Sequence, residues 1–409
     1  MPVMKPLYTA ARTLSVATAL TVIFAGSAYA LDGNDVAKRL QARFEEQGTK
    51  VEFGKVETDG TTVTLRDTKV TVPNSEIGEM SVGDIVLKDV AEDGKGAYTA
   101  ETATLQDFSN TKDKTKIDVK GIEIGKIYLA ADNEEDVIAK MMAYQNFKID
   151  SLVVAEDGQE MVNVKDVFAN SSAYTKGTAM TYEFGVKSID LDIEKMEKVR
   201  KAAEAGEAEA TPNPMLDLGY KQLKMAISST GSWEPEKGDL AMDKFEFDVA
   251  DLGKFDTTLK LGGYDAKFIK ALQEANKKIN ENKENSDVAG MAMLGLIQQL
   301  SISGMSFRYD DASLTPKLLE YYGKQQGISS EDMVNQIKGI APLMVGYLGH
   351  ADFAMQATTA INTYLDDPKS LTIAAKPDAP VSFALIAATA TADPKKLIDL
   401  LAVKLTANQ

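Results

Sequence analysis

The stretch Ile85-Val86-Leu87-Lys88-Asp89-Val90 places apolar side chains at i, i+2 and i+5. The first step is the period of a half-buried strand. The second is odd, and it would turn Val90 to the opposite face unless a bulge at Lys88-Asp89 restores it. The pattern returns as Val63-Leu65-Thr68, Ala103-Leu105-Phe108, Ile117-Val119-Ile122, Val162-Val164-Val167, Phe184-Val186-Ile189, Leu240-Met242-Phe245 and Leu300-Ile302-Met305. Thr68 is the weakest member, being only partly apolar. Each triplet predicts a bent strand or a strand-to-strand corner. The intervals are irregular, which excludes a solenoid of fixed period and points to strands added one after another with helical insertions.

The insertions carry their own signals. Asn34 is a cap candidate for a helix with Val36, Ala37, Leu40 and Phe44 on one face, stopped by Gly48. Asn133 with Glu134, Glu135 and Asp136 puts negative charge at a helix start, with Val137, Met141 and Tyr144 as its apolar face. Residues 194–210 are rich in Ala, Glu and Lys and end in Thr211-Pro212-Asn213-Pro214, which suits a solvated helix and a module boundary. Residues 265–300 read as a helical hairpin joined by Asn282-Lys283-Glu284-Asn285-Ser286.

Beyond residue 312 the chain is mainly helical. Thr315 with Pro316 opens one helix, and Ser329 with Asp332 opens the next, whose stripe from Met333 to Leu348 Pro342 is expected to kink or split. A further stripe runs from Phe353 to Leu365. Leu371-Thr372-Ile373 and Val381-Ser382-Phe383 read as strands, and Asp393-Pro394 caps a short terminal helix. Helices layered on an antiparallel sheet make an α+β architecture, with an extended or curved sheet and a helical C-terminal layer. The expected modules are 31–210, β-rich with helices, then 211–312, a second β module with the hairpin, then 313–409, mainly helical with short strands.

The 409 residues are 44% hydrophobic and 26% charged, a globular composition. Sixty-one acids against 45 basic residues give a net charge of −16, a surface that repels nucleic acid and anionic headgroups. With no cysteine, thiolate chemistry, Cys-ligated zinc and lipoprotein attachment are excluded. The single histidine, His350, precludes sites with several His ligands, and its place after Gly349 at a helix junction suits a helix-terminus hydrogen bond.

Residues 1–30 have the form of an export signal: Lys5 and Arg12 without acids, an apolar run from Leu14 to Ala25, then Ala28-Tyr29-Ala30. Cleavage between Ala30 and Leu31 is expected, and a periplasmic location with it. The apolar run is too short for a spanning helix, which takes about 20 residues, and no later segment reaches that length.

No sequence motif marks a catalytic, cofactor or metal site: G-x-S-x-G, a P-loop, G-x-G-x-x-G and H-E-x-x-H are all missing. Ser109-Asn110-Thr111-Lys112 matches S-x-x-K without its companions. The acidic runs Asp132–Asp136 and Asp310-Asp311 lack the spacing of a calcium loop, and the Asp-Gly pairs at 93–94 and 157–158 read as hairpin turns. Trp233 and the tyrosines are scattered and suit core packing. The 17 methionines, among them Met141, Met142, Met291, Met293, Met305, Met333, Met344 and Met355, are expected to fill the core, with an adaptable apolar surface as the other use of such residues.

Gly231-Ser232-Trp233-Glu234-Pro235, Leu261-Gly262-Gly263, Phe307 to Leu314 and, most of all, Tyr364-Leu365-Asp366-Asp367-Pro368-Lys369-Ser370-Leu371-Thr372 resemble a recurring type of uncharacterised proteobacterial exported protein. More distantly, the strand triplets over residues 51–320 resemble AsmA-like and YdgA-like envelope proteins, from which the chain departs in its expected lack of a retained anchor. The resemblance implies an envelope role and no enzyme activity. The functional expectation is a non-enzymatic periplasmic protein that binds lipid or another apolar ligand in a β-rich scaffold. Two alternatives stand beside it: a scaffold that binds another envelope protein, and a secreted hydrolase using only carboxylates.

Overall fold

The computed structural model describes residues 31–46, 48–71, 78–203, 213–281 and 286–409. The cleavage positions Ala28 and Ala30 and the stretch 204–212 at the expected module boundary lie outside the described residues, which begin at Leu31. Among them the protein is α+β, with nineteen strands that pair antiparallel wherever their register is defined. No helix among them is long and apolar enough to cross a membrane. The chain divides into two compact units, one running to Tyr174 and including Tyr182–Ala226, the other comprising Thr175–Thr181 and Ile227–Gln409.

Unit 1 begins with α1 (Gly33–Glu46), which buries Val36, Ala37, Leu40 and Phe44 as its spacing predicts. Its cap is Asp32, whose carboxylate accepts from the Asn34 and Asp35 N–H groups, two residues ahead of the expected Asn34. Strands follow as β1 (Lys50–Glu52), β2 (Lys55–Asp59), β3 (Thr62–Thr71), β4 (Glu79–Lys88), β5 (Ala91–Glu92), β6 (Tyr98–Leu105), β7 (Phe108–Lys112), β8 (Thr115–Lys120) and β9 (Glu123–Leu129). Then come α2 (Val137–Met141), β10 (Asn146–Glu156), β11 (Gln159–Ser171), β12 (Met180–Asp192), α3 (Ile193–Ala203), α4 (Pro214–Asp217) and β13 (Gln222–Glu234), within which the units meet along the chain. The pairing runs β3–β4–β6–β9–β10–β11–β12, with β1 and β2 on β3, and β7–β8 on β10.

Three triplets of this unit absorb the odd step as their spacing requires, whereas Phe184-Val186-Ile189 pairs with β11 in unbroken register and leaves Phe184 40% exposed. Register slips between Leu65 and Thr68 on β3, where Asp67 takes φ 51°. Asp89 at φ 53° turns Val90 inward beside Ile85 and Leu87, all three buried. Gly121 at φ 66° does the same for Ile122, and its N–H donates to the Asp107 carboxylate at 2.9 Å. There β6–β7 and β8–β9 bend together as one long hairpin, with the Leu105 N–H reaching the Ile122 carbonyl. Asp and Gly tolerate the left-handed backbone best, which is why they stand at the corner of these triplets. The two-residue turn Asp157-Gly158 has both residues at positive φ, joining β10 to β11.

Helix α3 departs from expectation. The stretch predicted as a solvated helix forms α3, which buries Met196 together with Glu197 and Arg200. Two guanidinium bonds to the Glu197 carboxylate, at 2.9 and 2.5 Å, make burial of both charges tolerable.

Unit 2 contains β14 (Asp239–Val249), β15 (Gly253–Gly262), α5 (Ala266–Glu281), α6 (Ser286–Ile297), β16 (Ser301–Asp311), α7 (Leu314–Gln326), α8 (Ser330–Gly346), α9 (Ala351–Asp366), β17 (Ser370–Ala375), β18 (Val381–Ser382), α10 (Phe383–Ala392), a 3-10 turn (Pro394–Lys396), α11 (Leu397–Leu400) and β19 (Val403–Ala407). The helical hairpin is therefore α5–α6; its connection at 282–285 lies outside the described residues. Helix α7 starts one residue before Thr315, whose hydroxyl instead meets the Tyr364 hydroxyl at 2.5 Å. The Ser329–Asp332 capping box forms, and α8 runs through Pro342 without splitting. Phe383 opens α10 rather than extending a strand, because the Ser382 hydroxyl caps it by accepting from the Leu385 N–H. The chain ends on β19, a strand absent from the sequence expectation, paired to β17. Trp233 packs edge-on to Tyr264 and donates to its carbonyl at 2.8 Å, a core role as expected.

Candidate functional site

Direct cross-strand partners project to the same face of a sheet. Following the register from β14 through β15, β16 and β17 to β19 gives three rows: Phe247, Phe255, Tyr309, Leu371, Ala407; Phe245, Thr257, Phe307, Ile373, Leu405; and Met242, Leu259, Met305, Ala375, Val403. Thr257 and the Tyr309 hydroxyl are the only polar groups on those rows. A bulge between Met242 and Phe245 keeps both in line, which is how that triplet works in this unit.

The opposite face is charged. Glu246, Asp256 and Arg308 follow one another across β14, β15 and β16. Lys254 lies 3.4 Å from Glu246 and 3.5 Å from Asp256, and Arg308 pairs with Asp310 at 2.5 Å. The Asp310 carboxylate raises the Arg308 guanidinium above its usual range, and Lys244 lowers the Glu246 carboxyl below its own. This is the alternation of a sheet with one wet and one dry side.

The dry side is not dry. None of its fifteen residues is buried, and Met305, Phe307 and Ile373 are 44%, 41% and 43% exposed. Helix α9 lies against β17 and β19, with the Asn408 amide donating to the Thr363 and Asp367 carbonyls, yet the C-terminal helices do not cover the face as a closed layer. The aromatic rings form a contiguous group. Phe255 stands 4.7 Å from Tyr309, 5.8 Å from Phe307 and 6.5 Å from Phe247, centroid to centroid. Tyr309 is pinned by its hydroxyl, which donates to the Asp311 carboxylate at 2.7 Å.

The helices add to this surface. Leu343, Met344 and Tyr347 at the end of α8, Met355 on α9, and Met291 and Leu294 on α6 are all exposed. Core filling therefore holds for Met333 and fails for Met141, Met291, Met305, Met344 and Met355, because a helical stripe or a strand alternation specifies a side of the element without specifying that anything covers it.

The remaining candidates resolve into structural roles. His350 Nδ1 accepts from the Phe353 N–H at the start of α9, and its Nε2 meets the Asp399 carboxylate at 2.8 Å, which raises its pKa above the usual histidine value. Asp311 accepts from the Thr315 N–H at the head of α7. Asp136, not Asn133, caps α2 through the Ile138 and Ala139 N–H groups. Ser109 and Lys112 lie on the polar strand β7.

A family model described as "Uncharacterized protein" matches residues 246–408, a span that begins near the end of β14 and takes in all of β15 to β19. No curated protein matches the chain.

Proposed function

We propose that the protein is a non-enzymatic component of the bacterial envelope, exported to the periplasm, that holds the acyl part of a lipid against the apolar face of unit 2. The observation that carries this reading is the fifteen-residue face of β14–β17 and β19, apolar in thirteen positions beyond Thr257 and Tyr309 and buried in none. A solvated apolar surface of this extent is costly, at about 25 cal/mol per Å². Flexible, polarizable Met242 and Met305 beside flat aromatic rings conform to a chain of variable shape, where a protein partner needs fixed complementarity. The acidic surface disfavours anionic headgroups, so a zwitterionic or neutral lipid is the fitting class. The export signal and the likeness to AsmA-like and YdgA-like proteins support the compartment.

The test is titration of the protein with N-phenyl-1-naphthylamine, a neutral apolar fluorophore, and its displacement by phosphatidylethanolamine. Saturable binding that weakens about tenfold in Phe307→Asp is expected, since a solvated carboxylate replaces the central ring. Equal titration of the variant and the natural protein would count against the reading.

A further inference from the structure

Unit 1 holds a cleft of about 340 Å³ lined by Tyr128, Tyr144, Tyr174, Met142, Gln145 and Lys126, with Thr99 and Ser171 at its sides. It lies apart from the hydrophobic core: Ile127 and Leu129 point inward from β9, so Tyr128 between them points outward, opposite Thr99 on β6. The roof is the segment after α2, tied down where the Tyr128 N–H donates to the Ala143 carbonyl and the Ser171 N–H to the Gln145 carbonyl. The tyrosines come from three elements and are held individually. Tyr144 packs edge-on to Phe147 at 6.4 Å. Tyr174 donates its hydroxyl at 2.9 Å to Asp136, the same carboxylate that caps α2.

The charges around the cleft have one predominant sign. Lys126, the cation in the lining, is ion-paired to Glu101. Asp136 sits behind Tyr174, and Glu134 and Asp93 act on Tyr128: burial, then these carboxylates, raise its phenol above the usual tyrosine range. A phenol beside a carboxylate has a more electron-rich ring, and Tyr128 and Tyr174, with acids behind them, attract a cation through their faces, while Tyr144 adds a third aromatic wall. A volume at the lower end of small-molecule pockets suits a compact ligand.

We infer that this cleft is a binding site for a small organic cation of the substituted-ammonium class, separate from the apolar face of unit 2. The ligand's alkyl groups lie against Tyr128, Tyr144, Tyr174 and Met142, and Gln145 and Ser171 supply polar contacts at one end.

The experiment is isothermal titration of the full mature chain with three probes: choline, its neutral carbon isostere 3,3-dimethylbutan-1-ol, and maltose. Choline is expected to bind saturably at one site and at least about tenfold more tightly than the isostere. Tyr128→Ala and Tyr174→Ala should each weaken choline about tenfold, while Tyr128→Phe, which keeps the ring, should retain most of the affinity. Circular dichroism on each variant separates loss of binding from loss of fold, and the Phe variant carries the test should either Ala variant fail to fold. Equal binding of choline and the isostere overturns the inference, as does binding of maltose alone, choline binding that ignores both Ala variants, or no saturable binding of choline. None of these outcomes bears on the lipid reading, which concerns the other unit.

Discussion

Leu65 and Thr68 lie three residues apart on β3 and both face the core of unit 1, each with no exposed surface. Asp67 makes this geometry available by taking φ 51°, and the Thr68 hydroxyl then donates to the Leu65 carbonyl at 3.2 Å, so a polar residue is satisfied in the core. The left-handed corner is a requirement on the backbone more than on the side chain.

Replacement of Asp67 separates these two. Asp67→Gly should be nearly neutral, whereas Asp67→Val, which disfavours positive φ, should cost about 1–2 kcal/mol. Urea denaturation of both variants checks it, and equal stability of the two would show that the corner is not strained for β-branched residues.

The buried pair Glu197–Arg200 gives a second prediction. Removing one partner leaves the other charge uncompensated, so Glu197→Gln or Arg200→Met should cost about 3–5 kcal/mol, and the double replacement less than the sum. The Arg200 guanidinium holds the Glu197 carboxyl below the usual carboxylate range. Its contribution is therefore complete above that range and is lost as pH falls through it and below. A denaturation series from neutral to acid pH should show a smaller acid loss in Glu197→Gln than in the natural protein.

His350 offers an internal probe, being the only histidine. Its contact with Asp399 raises its pKa, so the pairing is fully present below the ordinary histidine range and is lost as pH rises through the raised value. Proton NMR should find the imidazole titrating above 6.5, the usual histidine value, and Asp399→Asn should bring it down. An unchanged titration in the variant would mean that Asp399 does not pair with it in solution.

The methionines distinguish surface from core. Met344→Gln and Met355→Gln should change stability by no more than about 0.5 kcal/mol, while Met161→Ala, in the core of unit 1, should cost about 2–5 kcal/mol. Thermal melts of the three variants decide it; a large loss in Met344→Gln would place that side chain in a packed interior.

These outcomes also mark what the amino-acid order discloses. Strand triplets such as Ile85-Leu87-Val90 were legible with their bulges, since the odd step must be absorbed somewhere and Asp or Gly stands where it is. The triplets Leu240-Met242-Phe245 and Leu300-Ile302-Met305 likewise mark an apolar side, but periodicity names a side and says nothing about its cover, so the exposure of that face is illegible. Tyr128, Tyr144 and Tyr174 looked scattered because their meeting depends on the pairing of β6 with β9 and on the path after α2, which are long-range facts. The burial of Arg200 is illegible for a similar reason: an Ala, Glu and Lys rich stretch reads as solvated until its packing against other elements is known.

The apolar face of unit 2 is tested most directly by its contents. The protein, purified from its native compartment without detergent, is extracted with organic solvent and the extract analysed by mass spectrometry. The account predicts acyl lipids in about stoichiometric amount, depleted in parallel preparations of folded Phe307→Asp. An extract free of acyl species from the folded natural protein would contradict it.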